Sequence, residues 1–216
     1  MAQILANNYG KISSKMKFNQ ILNHYFFYNL YQDLIGSKHF LEILIKDYIK
    51  PKQGQKILEL GCGAGNVYAV FPEKNLHYLG IDYSENYIHH AMKKFPEQSF
   101  ICADVTKDIS AEGIFDTVFA EAIISALPDN QIVKMFGLLK KICDDNTRII
   151  FSDMNYRDSA PKFQCFLMKH ERNQFIRSKS EYVKLLTEFF VIDNISVIKH
   201  PYRIPYEKII FECHLR

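Results

Sequence analysis

Three glycines alternate along a short segment, Gly61, Gly63 and Gly65, and a carboxylate, Glu59, lies just before them. Glycine permits tight turns and lets a ligand approach the main chain closely. The spacing G-x-G-x-G differs from the G-x-G-x-x-G dinucleotide fingerprint, which places a pyrophosphate at a helix N-terminus. A carboxylate repels a pyrophosphate, whereas it attracts an ammonium or a sulfonium. The loop therefore predicts a binding site for a ligand that carries positive charge.

Two further acids follow later apolar runs of the sequence. Asp82 comes directly after the run 77–81, and Asp104 comes directly after the run 99–103. An acid about twenty residues beyond a glycine loop accepts hydrogen bonds from ribose hydroxyls in nucleotide-binding sheets. Asp104 is placed to accept a hydrogen bond from an adenine amino group. Together with Glu59, these positions predict a nucleoside that carries a cationic tail and no phosphate.

The residues that would serve a second substrate are more dispersed. An unperturbed histidine exchanges a proton near neutral pH, so His170 is a candidate general base, and Asp153, at the end of an apolar run, is a second. The side chains that could contact an acceptor or close the site are Tyr28, Arg172, Arg177, Arg203 and Tyr206. Arginines can clamp an anion through paired hydrogen bonds, but these residues are equally compatible with a solvated basic face.

The hydrophobic pattern indicates the elements that must position these residues. Short apolar runs predict strands at 56–60, 77–81, 99–103, 115–119 and 147–151. Helical patterns lie at 66–71, after Ser84, after Pro128, at 160–170, and after a capping box of Ser178 and Glu181. Strands that alternate with helices predict a parallel sheet covered on both faces. The last runs, 195–199 and 208–214, have no helix between them and should pair antiparallel.

The same pattern bears on domain organisation. No repeat or Pro/Gly-rich linker divides the chain, so we expect a single domain spanning residues 1–216. In this interpretation residues 1–50 form a helical cap and residues 51–216 form the core. Ligands of open parallel sheets bind beyond the carboxyl ends of the strands. The glycine loop and the acids should therefore meet at one edge of the sheet.

Composition limits the classes of function. Hydrophobic residues make up 48% of the chain, and the formal charge of +3 without a strong basic stripe speaks against nucleic-acid binding. Five widely spaced cysteines without a C-x-x-C pair argue against a disulfide framework and a structural zinc site. A reducing compartment, the cytoplasm, is the expected location. Charges interrupt the apolar stretches, so we expect no membrane segment.

Four segments, in order, resemble the sequence motifs of class I S-adenosylmethionine-dependent methyltransferases. They are 57–65 (Ile-Leu-Glu-Leu-Gly-Cys-Gly-Ala-Gly), 79–84, 102–105 and 115–120. The resemblance implies a Rossmann-like seven-stranded sheet, mostly parallel, with an antiparallel C-terminal strand pair and an N-terminal helical cap. It also implies S-adenosylmethionine as the cofactor. The positions that it assigns to cofactor binding are Glu59, Gly61, Cys62, Gly63, Gly65, Asp82, Tyr83, Asp104, Val105 and Glu121.

The resemblance also implies a role for several of these positions. Gly61 and Gly63 would approach the methionine portion of the cofactor, and Asp82 would approach the ribose. Adenine would lie between Asp104 and Val105. Glu121, after the fourth predicted strand, would border the sulfonium.

The function that we expect is methyl transfer to a small-molecule oxygen or nitrogen. The Asn/Asp-Pro-Pro-aromatic signature of some N-methyltransferases is replaced by the segment 121–127, and we expect no metal. A narrower resemblance, to a bacterial subgroup, lies in 31–36, 172–177 and 203–206 and does not name the acceptor. Two alternatives stay open: a cofactor-binding protein without catalysis, such as a sensor or partner subunit, and an NAD-dependent oxidoreductase, against which the glycine spacing counts.

Overall fold

Seven strands form one sheet in the computed structural model, which describes residues 36–72, 75–155, 175–202 and 206–216. The strands are β1 (Lys56–Leu60), β2 (His77–Asp82), β3 (Ser99–Cys102), β4 (Thr117–Glu121), β5 (Arg148–Met154), β6 (Phe190–Lys199) and β7 (Glu207–Leu215). Their spatial order is β3-β2-β1-β4-β5-β7-β6. Strands β1 to β5 are parallel to their neighbours, and β7 is antiparallel to both β5 and β6. The predicted fold class and the antiparallel C-terminal pair are confirmed.

The direction of strand addition reverses between β1 and β4. The first strand, β1, lies in the middle of the sheet; β2 and β3 are added outward on one side of it, and β4 is added on the other side. At such a switch point the loops after the two strands diverge and leave a crevice at the carboxyl edge. The glycine loop follows β1 and therefore lies at this crevice, which makes it the first place to look for a ligand site.

Helices cover the sheet and begin at residues that the sequence marks. They are α1 (Ser37–Ile43, continued by a π-helical turn over Leu44–Ile49), α2 (Glu85–Lys94), α3 (Asp129–Leu139) and α4 (Lys179–Leu186). The Ser84 hydroxyl accepts the Tyr87 N–H at the start of α2. At the start of α4 the Ser178 N–H donates to the Glu181 carboxylate at 2.7 Å, which confirms the predicted capping box.

Each face of the sheet has its own hydrophobic cluster. One cluster packs the sheet against α3 and α4, and its buried members include Val118, Phe136, Phe151, Leu186 and Phe211. The other packs the sheet against α1, α2 and the segment between β1 and β2, and its members include Phe40, Ile57, Tyr68, Phe119 and Ile210. Alternate residues of β4, β5 and β7 enter opposite clusters, as the two-residue repeat of a strand requires. Each strand is therefore fixed in register from both sides.

Some predicted boundaries differ from the structure. The fourth strand was expected at 115–119 but spans Thr117–Glu121, because the Phe115 N–H donates to the Ile142 carbonyl in the turn before β5. Strands β5 and β6 are longer than the predicted runs. The predicted helix at 66–71 is wrong in type: only a 3₁₀ turn forms at Tyr68–Val70. Pro72 favours extended backbone in the residue before it, and Phe71 has a ψ of 127°.

Several predictions fall outside the described residues. These are the cap residues 1–35, the helix at 160–170, and the motif positions within 203–205. Within the described part of the cap, 37–49 is helical as predicted. None of the helices in the described ranges is both long enough and apolar enough to cross a bilayer.

Candidate functional site

The glycine loop at the carboxyl end of β1 has a backbone that only glycine adopts easily. Gly61, Gly63 and Gly65 have φ values of 74°, 54° and 76°, all in the left-handed region. A Cβ on Gly61 would lie 3.0 Å from the Ile123 side chain, and one on Gly65 would lie 2.9 Å from the Phe95 ring. A Cβ on Gly63 would meet nothing within 4 Å. The loop is therefore packed at both ends and open at its centre, where a ligand can approach the main chain.

Cys62 points away from that opening. Its side chain lies against Gly80 of β2, where an added Cβ would come within 2.8 Å of the Cys62 sulfur. Burial, followed by the negative charge of Glu59, raises the pKa of the Cys62 thiol, so the residue is an inert packing group. Its N–H donates to the Ile81 carbonyl at 3.0 Å, as the Gly61 N–H does at 2.7 Å. Cys62 contributes to the loop through its small size and its backbone.

Asp82, the last residue of β2, braces the loop. One carboxylate oxygen accepts the Gly63 N–H and the other accepts the Ser84 N–H, each at 2.9 Å. The residue is 8% exposed. Burial raises the pKa of Asp82, and the two backbone hydrogen bonds oppose that rise. Each oxygen keeps acceptor capacity for a ligand hydroxyl. The adjacent residue, Tyr83, is 80% exposed.

Glu59 lies almost completely buried in β1, where its carboxylate accepts a short hydrogen bond from the Tyr78 hydroxyl. Burial raises the pKa of Glu59 to about 8; the Tyr78 hydrogen bond opposes this rise, and the negative charges of Glu121 and Asp82 add to it. The strand register places Asp82 and Glu121 each one residue beyond the partners of Leu60, so the three carboxyl groups lie at the same edge of the sheet. A buried acid of this kind gains its charge when a cation arrives.

Glu121, the last residue of β4, has a partner that the sequence analysis missed. The Lys208 ammonium of β7 lies 2.6 Å from a Glu121 carboxylate oxygen, and the lysine side chain is 1% exposed. Burial raises the pKa of Glu121, and the positive charge of Lys208 opposes that rise. The only signal in the sequence is a lysine beside the apolar run Ile209–Phe211, which is indistinguishable from an exposed strand residue.

Ala122, directly after Glu121, has a strained backbone conformation. Its φ of 57° is in the left-handed region, which is costly for any residue with a Cβ. Its N–H donates to the Ser152 carbonyl at 2.8 Å. The side chain of the next residue, Ile123, packs against Gly61. The strained turn at Ala122 therefore places both Glu121 and Ile123 at the crevice.

Asp104 and Val105 follow β3, as predicted, but the Asp104 carboxylate is already engaged. One oxygen accepts the Thr106 N–H and hydroxyl at 3.0 and 2.7 Å, and the other pairs with the Lys107 ammonium at 2.8 Å. Hydrogen bonding by Lys107, then by Thr106, lowers the pKa of Asp104 to about 2. Val105 is buried in the core. Asp104 therefore shapes the loop, and its predicted contact with adenine stays a prediction.

Asp153 and Arg177 both make hydrogen bonds that hold the segment after β4. Asp153 is buried and accepts the Ser125 and Met154 N–H groups at 2.8 and 2.7 Å. Arg177 directs all five of its N–H donors at the protein: two reach Asp129, and the others reach the carbonyls of Ile124, Leu127 and Phe175. The guanidinium has no donor left for an acceptor, so the predicted anion clamp is corrected here: Arg177 holds the loop after β4.

The other acceptor-side predictions have mixed outcomes. Tyr206 is buried and packs against Tyr202 with ring centroids 6.2 Å apart, so it lines the interior and not an open surface. Tyr28, His170, Arg172 and Arg203 lie outside the described residues. Among the ranges that the structure describes, no group of three or more His, Cys, Asp or Glu side chains is arranged to hold a metal ion.

Comparison with known proteins agrees with this geometry. A family model described as a methyltransferase domain matches residues 57–146. Phosphoethanolamine N-methyltransferase 1 of Triticum aestivum is 26% identical over 66% of this chain and 29% of its own length. Trans-aconitate 2-methyltransferase of Rhodopseudomonas palustris is 31% identical over 35% of this chain and 30% of its own length. The match thus spans less than a third of these relatives' length.

Solved structures share the fold. A TehB-like SAM-dependent methyltransferase from Corynebacterium glutamicum superposes with a TM-score of 0.68 at 14% identity, over 92% of this chain and 99% of that one. The magnesium protoporphyrin IX methyltransferase of Synechocystis, solved with S-adenosylhomocysteine (SAH) bound, gives a TM-score of 0.64 at 18% identity, over 86% of each chain. At these identities the superpositions concern the fold alone.

Proposed function

We propose that this chain, whose residues 57–146 form a methyltransferase domain of the class I S-adenosylmethionine-dependent family, transfers a methyl group from S-adenosylmethionine to a small-molecule oxygen or nitrogen. One observation carries the proposal: a glycine loop with an open centre lies beside three carboxyl groups at neighbouring positions of β1, β2 and β4, namely Glu59, Asp82 and Glu121. Such a site is suited to a nucleoside that bears positive charge, because the charge stabilises acids that are costly to ionise in isolation.

The described residues fit this cofactor. The open side of Gly63 can accept the methionine portion, and Asp82, with acceptor capacity remaining, is suited to the ribose hydroxyls. Glu59 and Glu121 provide negative charge toward the ammonium and sulfonium, and the exposed ring of Tyr83 can cover the adenine. A pyrophosphate would meet the same three acids and be repelled, which weighs against NAD.

When bound, S-adenosylmethionine supplies a sulfonium methyl group that a nucleophile takes by in-line displacement. The contribution of the protein is to align the two reactants and exclude water, and proximity of this kind can supply a large part of the rate. The strained turn at Ala122 and the Arg177 network fix the loop between β4 and α3 that borders the site. Arg177 has no N–H donor left for an acceptor, whereas Asp153, with one N–H bond on each oxygen, stays a candidate general base together with His170.

The acceptor is proposed only as a small molecule. The relatives are named for methyl transfer to phosphoethanolamine and to trans-aconitate, both small molecules. A protein that binds the cofactor without catalysis remains the alternative. A single domain over residues 1–216 is part of the proposal, and so is a cytoplasmic location, supported by the described cysteines, which are all free thiols.

Titration calorimetry with S-adenosylmethionine, SAH and NAD, followed by an assay of SAH formation with a small-molecule extract, tests this function. We expect micromolar affinity for the first two ligands, none for NAD, and SAH accumulation that depends on the extract. Binding without turnover across broad extracts would favour the non-catalytic alternative. Binding of NAD alone would refute the cofactor assignment.

A further inference from the structure

Lys208 occupies a position where lysine is rare, the interior of a sheet. It is the second residue of β7, opposite Met154 of β5 and Ile198 of β6, and its side chain is 1% exposed. A lysine is almost never fully buried unless its charge is paired, because an unpaired ammonium in the interior costs several kcal/mol. The partner of this ammonium therefore explains why the residue is there.

That partner is a residue of the proposed site. The Lys208 ammonium lies 2.6 Å from Glu121, which is 87 residues away in sequence, and 5.1 Å from the centroid of the Phe40 ring. The ring of Phe40 faces the ammonium and adds a cation–π contact, while the hydrogen bond to Glu121 is charge-assisted. The ion pair therefore spans β7 and the end of β4, across the intervening strand β5.

The other charged groups that act on Glu121 are acidic. Asp153, one residue beyond the strand partner of Glu121, raises the pKa of Glu121, and the charge of Glu121 in turn raises the pKa of Glu59 in β1. Among the described residues, Lys208 is the cation that the structure places on this carboxylate. Without Lys208, Glu121 would be a buried acid among other acids, and a proton would neutralise it.

We propose that Lys208 is a positioning residue for methyl transfer: it holds Glu121 in its charged form and in place, so that the sulfonium of S-adenosylmethionine meets a carboxylate at the end of β4. The inference rests on the proposed function and deepens it. The inference predicts an effect on the binding of S-adenosylmethionine that is larger than the effect on the binding of SAH. S-adenosylmethionine carries the sulfonium charge and SAH does not, so the ion pair should govern the preference for one over the other.

The test measures the dissociation constants of both ligands for the wild type and for Lys208→Met, by calorimetry at pH 7 and pH 9. At pH 7 we expect the affinity for S-adenosylmethionine to fall about tenfold and that for SAH by less than about threefold. At pH 9 a larger fraction of Glu121 in the variant is charged than at pH 7, so the loss for S-adenosylmethionine relative to the wild type should be smaller. Comparison at equal pH removes the titration of Glu59, which both proteins share.

Two controls accompany this variant. Lys208→Arg keeps the positive charge and should retain most of the preference for S-adenosylmethionine. Lys199→Met removes an exposed lysine of β6 and should leave both affinities unchanged. If Lys208 were purely structural, Lys208→Met would lower the affinities for both ligands by the same factor, and the affinity for S-adenosylmethionine would not recover at pH 9. Either result would overturn the inference.

A second pair of variants serves if Lys208→Met does not fold. Glu121→Gln removes the carboxylate and leaves the Lys208 ammonium without it, whereas the double variant Glu121→Gln/Lys208→Met removes both charges. Equal ligand preference in these two proteins supports the inference, whereas a further loss in the double variant contradicts it, because Lys208 would then act by a route other than Glu121. Absence of S-adenosylmethionine binding in the wild type would instead refute the proposed function itself.

Discussion

At the scale of single residues, the site depends on acids whose charge is set by burial. Asp82 and Glu59 are both buried, but their surroundings differ: Asp82 accepts two backbone N–H groups, whereas Glu59 accepts one hydroxyl and lies near two other acids. Hydrogen bonds to a carboxylate favour its charged form, and neighbouring acids disfavour it. The two residues should therefore respond differently to mutation and to pH.

Replacement of Asp82 by Asn should separate ligand binding from folding. The amide keeps the size of the side chain but provides one acceptor group in place of two, and hydrogen bonds to charged groups contribute about 1.5–3 kcal/mol each. We expect the affinity for S-adenosylmethionine to fall by about a hundredfold in calorimetric titration, while the far-UV circular dichroism spectrum is retained.

The matched control is Asp116→Asn. Asp116 also accepts a backbone N–H, that of Lys56 at 2.8 Å, but it lies at the opposite edge of the sheet. This variant should bind the cofactor like the wild type. Equal losses in the two variants would mean that the effect arises from the fold and not from a contact between Asp82 and the ligand.

Glu59 should make stability depend on pH. Its pKa is about 8 in the folded protein and near 4.5 in the unfolded chain, so the folded state holds the proton more tightly. The resulting stabilisation is complete below pH 4.5 and is lost as the pH rises to about 8, by about 5 kcal/mol at most. Urea unfolding between pH 5 and pH 9 should therefore show the wild type losing free energy of unfolding relative to Glu59→Gln.

The control for this series is Glu112→Gln, which alters an exposed glutamate in the segment before β4. Its free energy of unfolding should follow that of the wild type at every pH. A constant difference between the wild type and Glu59→Gln across the same range would show that Glu59 does not change its protonation state on folding.

At the scale of elements, the segment between β4 and α3 is the least regular part of the site. Its first residue, Ala122, has a left-handed backbone, and its 3₁₀ turn at Ile124–Ala126 is held by Asp153 and Arg177. Strain that persists in a folded protein is fixed by surrounding contacts and is often found at functional sites. Stability and function should therefore be separable within this segment.

Ala122→Gly should stabilise the protein. Glycine adopts a φ of 57° without the Cβ clash that alanine suffers, and the gain should be about 0.5–1 kcal/mol in thermal or urea unfolding. Ala126→Gly, in the right-handed 3₁₀ turn of the same segment, should lose about the same amount because it only adds freedom to the unfolded chain. Destabilisation by both changes would show that the turn at Ala122 is not strained.

Arg177→Lys distinguishes a structural arginine from an acceptor clamp. Lysine cannot reproduce the five hydrogen bonds of the guanidinium and would leave the Ile124 and Leu127 carbonyls without their donor. We expect a loss of about 2–4 kcal/mol in the free energy of unfolding. Once an acceptor is known, its KM should change little at a temperature where the variant is folded. A large rise in KM with normal stability would restore the clamp hypothesis.

At the scale of the whole molecule, the topology explains why residues from distant segments share one crevice. Parallel strands place their carboxyl ends at the same edge, and the reversal between β1 and β4 opens a gap there. The antiparallel β7 runs the other way, so its beginning, not its end, lies at this edge. This is how Lys208, near the start of β7, comes to face Glu121 at the end of β4.

The local pattern of the sequence was sufficient to predict the existence of the strands, the capped helices and the glycine loop, because each depends on residues a few positions apart. Short apolar runs determined β1 and β2 almost to the residue, and Ser178 and Glu181 marked the start of α4. The antiparallel C-terminal pair followed from the lack of a helix between its runs. Glu59 and Asp82 were found for the same reason, since Glu59 lies within a recognisable strand and Asp82 directly follows the predicted run 77–81.

The tertiary structure alone decided the partners of the buried charges. Lys208 and Glu121 are 87 residues apart, and Arg177 and Asp129 are 48 apart, so no short pattern links them. The sequence shows which side chains are charged, but the cost of burying a charge depends on the groups that surround it after folding. For this reason Arg177 was predicted at the acceptor and lies instead beneath a loop, and Lys208 was overlooked until β7 placed it beside the site.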